Sequence, residues 1–228
     1  MTRKSRFFAP ALAALLFAAT QAGATLSQAI SMDEKVERAE SIVLGKCVKQ
    51  QSQWDAAHRH ILTYSTFQVE KVMKGAPAQE ITIVTPGGTV GTVAQDVVGV
   101  PRFEEGNEQI VFVRNTRSGP TVLYFDQGAY DVVSEGRERM VRPRVSDAVV
   151  MDLQRGVAVA PEAPRRLRDF ETGVRDTMRR QKIAQMEMVM KAKREEASVG
   201  AVLRRNWLLV AVALIGGILA TWQLMKRW

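Results

Sequence analysis

The chain has 228 residues, a formal net charge of +8, one cysteine and two histidines. That length suits one modest domain with accessory segments, the lone thiol excludes an internal disulfide framework, and two histidines are too few for a histidine-built metal centre. The positive excess lies mostly between Arg165 and Arg205, just before an apolar C-terminal stretch. Basic residues so placed meet lipid headgroups, so no nucleic-acid partner is expected.

Arg3, Lys4 and Arg6 precede an apolar run over 7–19, and Ala22-Gly23-Ala24 follows. A basic start, a short apolar core and a small-x-small exit predict a signal peptide over residues 1–24. A short helix is expected over 31–39, with Asp33 and Glu34 suited to its first turn. Ile42-Val43-Leu44 begins a strand, and Cys47 within it reads as a small buried apolar residue. Residues 61–72 alternate, with Leu62, Tyr64, Thr66 and Gln68 on one side and Thr63, Ser65, Phe67 and Val69 on the other, which predicts a long strand with one buried face. Lys74-Gly75-Ala76-Pro77 ends it. Further strands are expected at 81–85, 109–113 and 122–125, with a last hairpin of 129–133 and 139–141 turning through Glu135-Gly136. Residues 86–106 read mostly as loop. A β-rich domain over 25–145 follows from this spacing.

Residues 146–164 read as a linker, ending in a semi-extended Val157–Pro164 piece. Leu167, Phe170, Val174 and Met178 then recur three or four apart among charges, predicting an amphipathic helical stalk over 165–205. It can pack on its own domain, lie on a membrane surface or pair with a second copy. Residues 206–225 are almost uninterruptedly apolar and long enough for one transmembrane helix, leaving 226–228 as a cytoplasmic tail.

Three stretches carry a resemblance. Ala39-Glu40-Ser41-Ile42-Val43-Leu44-Gly45-Lys46-Cys47-Val48, then Thr66 to Gly75, then Phe103 to Val113 follow a strand-and-turn layout similar to that of bacterial secreted domains of the netrin-like group, which includes the tissue inhibitors of metalloproteinases. The likeness covers residues 38–133 and implies a small, closed, OB-like Greek-key barrel of five strands, a fold often used for binding proteins. The animal inhibitors bind the protease zinc through an N-terminal cysteine and carry several disulfides. This chain has neither, so inhibition by that route is not implied.

Few residues point to chemistry. Asp55, His58 and His60 form an H-x-H motif beside a carboxylate, the start of a zinc site whose further ligands would have to be carboxylates; the same stretch also reads as a polar hairpin loop. Thr85-Pro86-Gly87-Gly88-Thr89-Val90-Gly91 lacks the Gly-Lys-Ser/Thr of a phosphate-binding loop and reads as a turn needing positive φ. Glu104, Glu105 and Glu108 cluster as paired acids of a hydrolase do, yet sit where a solvated turn is expected. No serine lies in a nucleophile elbow. No catalytic, cofactor or metal residue is therefore assigned. The expected function is a membrane-anchored binding or scaffolding module for another envelope protein. Its main domain would be periplasmic, on a single pass through the bacterial inner membrane, and its stalk could self-associate. The alternative is a hydrolase or protease-regulating factor with an unrecognised site.

Overall fold

The structure, a computed structural model, describes residues 26–144 and 148–207, with 211–212, 215, 217, 221–223 and 225–226. The expected signal peptide, much of the 206–225 span and the last two tail residues lie outside the described residues. Among the described residues no helix is long and apolar enough to cross a membrane. The chain divides into two units, Met1–Val174 and Arg175–Trp228.

In the first unit, β1 (Leu26–Gln28) leads to α1 (Met32–Arg38), which Ser31 caps by accepting a hydrogen bond from Glu34 N at 3.2 Å. Such a cap satisfies one of the four free N–H groups of a helix start. At the other end Lys74 Nζ donates to Val36 O and Glu37 O at 2.6 and 3.0 Å, closing off the last carbonyls. The main sheet is built from β2 (Ser41–Trp54), β3 (Ile61–Lys74), β4 (Glu80–Pro86), β7 (Glu108–Thr116), β9 (Ala129–Glu135), β10 (Glu138–Pro143) and the two-residue β13 (Arg165–Arg166). Their order is β13-β10-β9-β7-β2-β3-β4, every pair antiparallel, and β8 (Gly119–Val122) pairs with β7 beyond its β9 contact. Between β4 and β7, β5 (Gly88–Val90) and β6 (Val93–Gln95) form a small hairpin inside the stretch expected to be loop.

The expected barrel is not closed by its backbone. No ladder joins β4 to β8 among the described residues. The two strands nevertheless lie side by side, joined by Thr121 Oγ1, which donates to Val84 O at 2.8 Å. β8 also ends at Val122 rather than 125. Tyr124 and Phe125 have φ of 58° and 54° and turn the chain into a 3₁₀ segment, Phe125–Gly128, so neither can continue a strand.

Two apolar layers flank the sheet. One holds Val43, Cys47, Phe67, Ile83, Phe103, Val111, Val113, Val122 and Ala129. The other brings Phe112, Tyr130 and Phe170 together, with ring centroids 5.0–6.4 Å apart. Ile42, Val43 and Leu44 feed both layers, which is why that run is apolar throughout.

Two expected boundaries move. The 146–164 stretch is not a bare linker: β11 (Val149–Asp152) runs parallel to β1 and pairs with β12 (Val157–Ala158). Pairs this short leave no periodic signal. The helix, α2, spans Leu167–Arg205, but its first turns belong to the β-rich unit, where Phe170 and Val174 are buried and Glu171 meets Lys71 at 2.6 Å. In the second unit Ile183, Met186, Met188, Val189 and Met190 are exposed on the same helix.

Candidate functional site

An open cleft of about 430 Å³ lies where the inner face of β2, β3 and β4 passes beyond the apolar core. A bulge creates it. β2 and β3 lose register between Cys47 and Lys49, so Val48 is displaced to solvent and the facing of β2 switches phase. Cys47 lies opposite Phe67 in the core; beyond the bulge Gln50 lies opposite Ser65, and Ser52 opposite Thr63. The same face thus turns from apolar to hydroxyl- and amide-lined.

Those polar groups are engaged. Thr63 Oγ1 donates to Gly87 O at 2.6 Å, which leaves Ser52 Oγ, 2.8 Å away, to donate to Thr63 Oγ1. Gln50 Nε2 donates to Phe103 O at 2.8 Å and Ser65 Oγ at 3.3 Å. Gln95 Oε1 accepts from Ile61 N at 2.5 Å and its Nε2 reaches Arg59 O at 3.3 Å. The glycine turn sits on the hydroxyl pair: Gly88 has φ of 132°, and a Cβ there would lie 2.3 Å from Thr63 Oγ1 and 2.4 Å from Ser52 Oγ. The opposite wall, 94–104, carries the Arg102–Asp96 ion pair and Phe103, whose ring lies 5.4 Å from the Arg144 guanidinium. Val93, Val97 and Val98, on β6 and this wall, remain 38–48% exposed.

The residues singled out in the sequence fall as follows. Asp55 organises the β2–β3 turn: its Oδ1 accepts from Arg59 N at 2.7 Å, and its own N donates to His60 O at 2.8 Å. The Arg59 N–H holds its carboxyl below the usual range. His58, at φ 52°, stacks on Trp54 at 6.4 Å. Among the described residues no three of His, Cys, Asp and Glu group as cation ligands. The acidic cluster is divided among separate partners: Glu104 with Asn107 Nδ2 at 3.1 Å, Glu105 with Gln50 N at 2.7 Å and Glu108 with Arg139 at 2.8 Å. Cys47 is fully buried, and burial pushes its thiol upward, away from the reactive thiolate.

A second cavity, of about 280 Å³, escapes sequence reasoning because α1, β9 and the 157–162 stretch each supply part of it. Lys35 Nζ donates to Tyr130 Oη at 2.6 Å and to Glu162 Oε1 at 3.0 Å. Tyr130 Oη donates to the same oxygen at 3.3 Å, and Arg165 Nη2 reaches Glu162 Oε2 at 2.7 Å. Lys35 is only 3% exposed; burial lowers its pKa against the raising effect of Glu162, and burial with Glu162 pushes the Tyr130 phenol far up. A lysine on a short helix and a glutamate expected in a linker offered no reason to pair them. No protein-family model, curated protein or solved structure matches the chain.

Proposed function

We propose that this chain is a membrane-anchored binding module of the bacterial envelope, which docks another envelope protein through the mouth of the hydroxyl-lined cleft and performs no catalysis. The observation that carries this reading is the 94–104 wall of the cleft, where Val97 stands exposed in the lining and exposed Val93 and Val98 adjoin lining residues in the chain, beside polar groups already satisfied within the fold. Apolar side chains grouped at a polar margin match the make-up of protein interfaces. The donor chain from Ser52 through Thr63 ends on a backbone carbonyl, an arrangement that supports a turn-holding role over a nucleophilic one. Export and anchoring are supported by the basic-then-apolar pattern of 1–24 and the apolar composition of 206–225.

The OB-like reading enters at the same level. Following β2, β3, β4, β8, β7 and back to β2 traces a five-strand circuit like that of an OB-type barrel, with the Thr121–Val84 hydrogen bond across the β4–β8 seam. The netrin-like layout in the sequence agrees with that circuit.

Photo-crosslinking from position 97 or 98 of the full chain, in intact cells, tests the reading. A single discrete membrane-protein adduct is expected, that from position 97 being lost with Val98→Asp. Recovery of the unprocessed full-length chain in the soluble cytosol would refute the anchoring, and no adduct from either position would refute the docking.

A further inference from the structure

The Lys35 cavity has a different lining and a different chemistry from the cleft, though Arg144 of its wall also reaches the cleft's Phe103. Its walls are mostly apolar, with Ile30, Val150, Val159 and Pro161 among them, and its polar end is donor-rich. Two of the three ammonium protons of Lys35 are accounted for, by Tyr130 and Glu162. The Tyr130 proton is held only by a long contact of 3.3 Å. Glu162 is shared by two cations, Lys35 and Arg165, so among the described residues this trio carries one positive charge in excess. The other cation of the lining, Arg144, is matched by Asp131 at 3.1 Å, and the remaining carboxylate, Asp126, has a partner of its own.

A buried ammonium whose counter-charge is shared with a second cation is poorly compensated. A second carboxylate entering the cavity would correct the balance, taking the spare Lys35 N–H and the loosely held Tyr130 O–H in charge-assisted hydrogen bonds. The volume is at the small end of ligand sites, enough for a tail of roughly four to six carbons. We propose that this cavity binds an aliphatic monocarboxylate, its carboxylate received by Lys35 Nζ and Tyr130 Oη and its tail lying against Ile30, Val150, Val159 and Pro161. Neither this proposal nor the protein-docking reading depends on the other.

The test is calorimetric titration of the full chain in lipid nanodiscs with sodium hexanoate, against hexan-1-ol and hexylamine as neutral and cationic counterparts, with empty nanodiscs as the blank. Saturable hexanoate binding is expected, with hexanol weaker by about tenfold and hexylamine silent. Lys35→Met keeps the aliphatic bulk while removing the charge, and is expected to weaken hexanoate by about tenfold or more with the circular-dichroism spectrum unchanged. Val150→Trp, which fills the cavity without touching its charged end, is expected to abolish binding. Three outcomes would overturn the proposal: no saturable hexanoate signal, equal binding of hexanol, or an unchanged affinity in folded Lys35→Met. Binding only of a peptide with a free C-terminus would overturn it too. If Lys35→Met fails to fold, Val150→Trp and the hexanol comparison still decide.

Discussion

Replacing Gly88 by alanine attacks the cleft at its tightest point. A Cβ at this position would come within 2.3 Å of Thr63 Oγ1 and 2.4 Å of Ser52 Oγ, far inside contact distance, and the backbone φ of 132° is one that L side chains rarely adopt. The conformational strain alone costs about 1–2 kcal/mol. Relief of the clash requires the two hydroxyls to part, breaking the donor chain to Gly87 O, and losing one or two such bonds adds about 1–2 kcal/mol. The sum, about 2–4 kcal/mol, lowers Tm by about 5–15 °C in a chain of this size. Gly91→Ala is the internal control: its φ is 60° and nothing lies within 4 Å of the added carbon, so only strain applies. Thermal unfolding followed by circular dichroism compares the two. If Gly88→Ala melts no lower than Gly91→Ala, the turn does not rest on the hydroxyl pair and the account of the cleft fails.

Phe170→Ala removes a ring in contact with Phe112 and Tyr130 and should destabilise the β-rich unit by about 3–5 kcal/mol in urea unfolding; a change below about 1 kcal/mol would mean the first turns of α2 are not part of that core. The Arg139 guanidinium grips both oxygens of Glu70 at 2.7 and 2.9 Å and holds its carboxyl below the usual value of 4.5. A depressed carboxylate contributes stability above its unfolded pKa and loses it as pH falls through the folded one. Glu70→Gln should therefore cost no more than about 0.5 kcal/mol at neutral pH, given its exposure, and the difference should vanish below the folded pKa; an equal deficit at neutral and strongly acid pH would contradict the pairing. Cys47 should resist a thiol reagent in the folded chain and react fully in denaturant, as measured by absorbance of the released chromophore; prompt labelling of native protein would place the thiol outside the core.

Legibility followed the length of each pattern. The alternation over 61–72 correctly marked Thr63, Ser65 and Phe67 as one face, and that face is the buried one. Six or more residues of period two are hard to mistake, because slipping by one exposes the whole set. The short helix with Asp33 and Glu34 in its first turn and the turn at Gly136 were similarly visible, since each depends on few residues at one place. What was hidden had no period. The left-handed backbone at Tyr124 and Phe125 occurs in residues that favour strands, so their apolar character pointed the wrong way. β11, β12 and β13 are too short to alternate. The Lys35–Tyr130–Glu162 contact joins residues 95 and 127 positions apart, and nothing local in any of the three segments marks it.

One displaced residue, Val48, connects the sequence to the proposed docking surface. Without a bulge, the alternation that puts Val43, Gly45 and Cys47 on one face would carry Lys49, Gln51 and Gln53 onto it as well. An ammonium and two long amides would then point at Ser65 and Thr63, where the Lys49 ammonium would lose hydration. The bulge reverses the phase, so Gln50 and Ser52 turn inward and find Ser65, Phe103 O and Thr63 as partners. Lys49, Gln51 and Gln53 are left on the outer face with Tyr64 and Thr66. A single strand can therefore seal the core with its first half and line an open, polar cleft with its second.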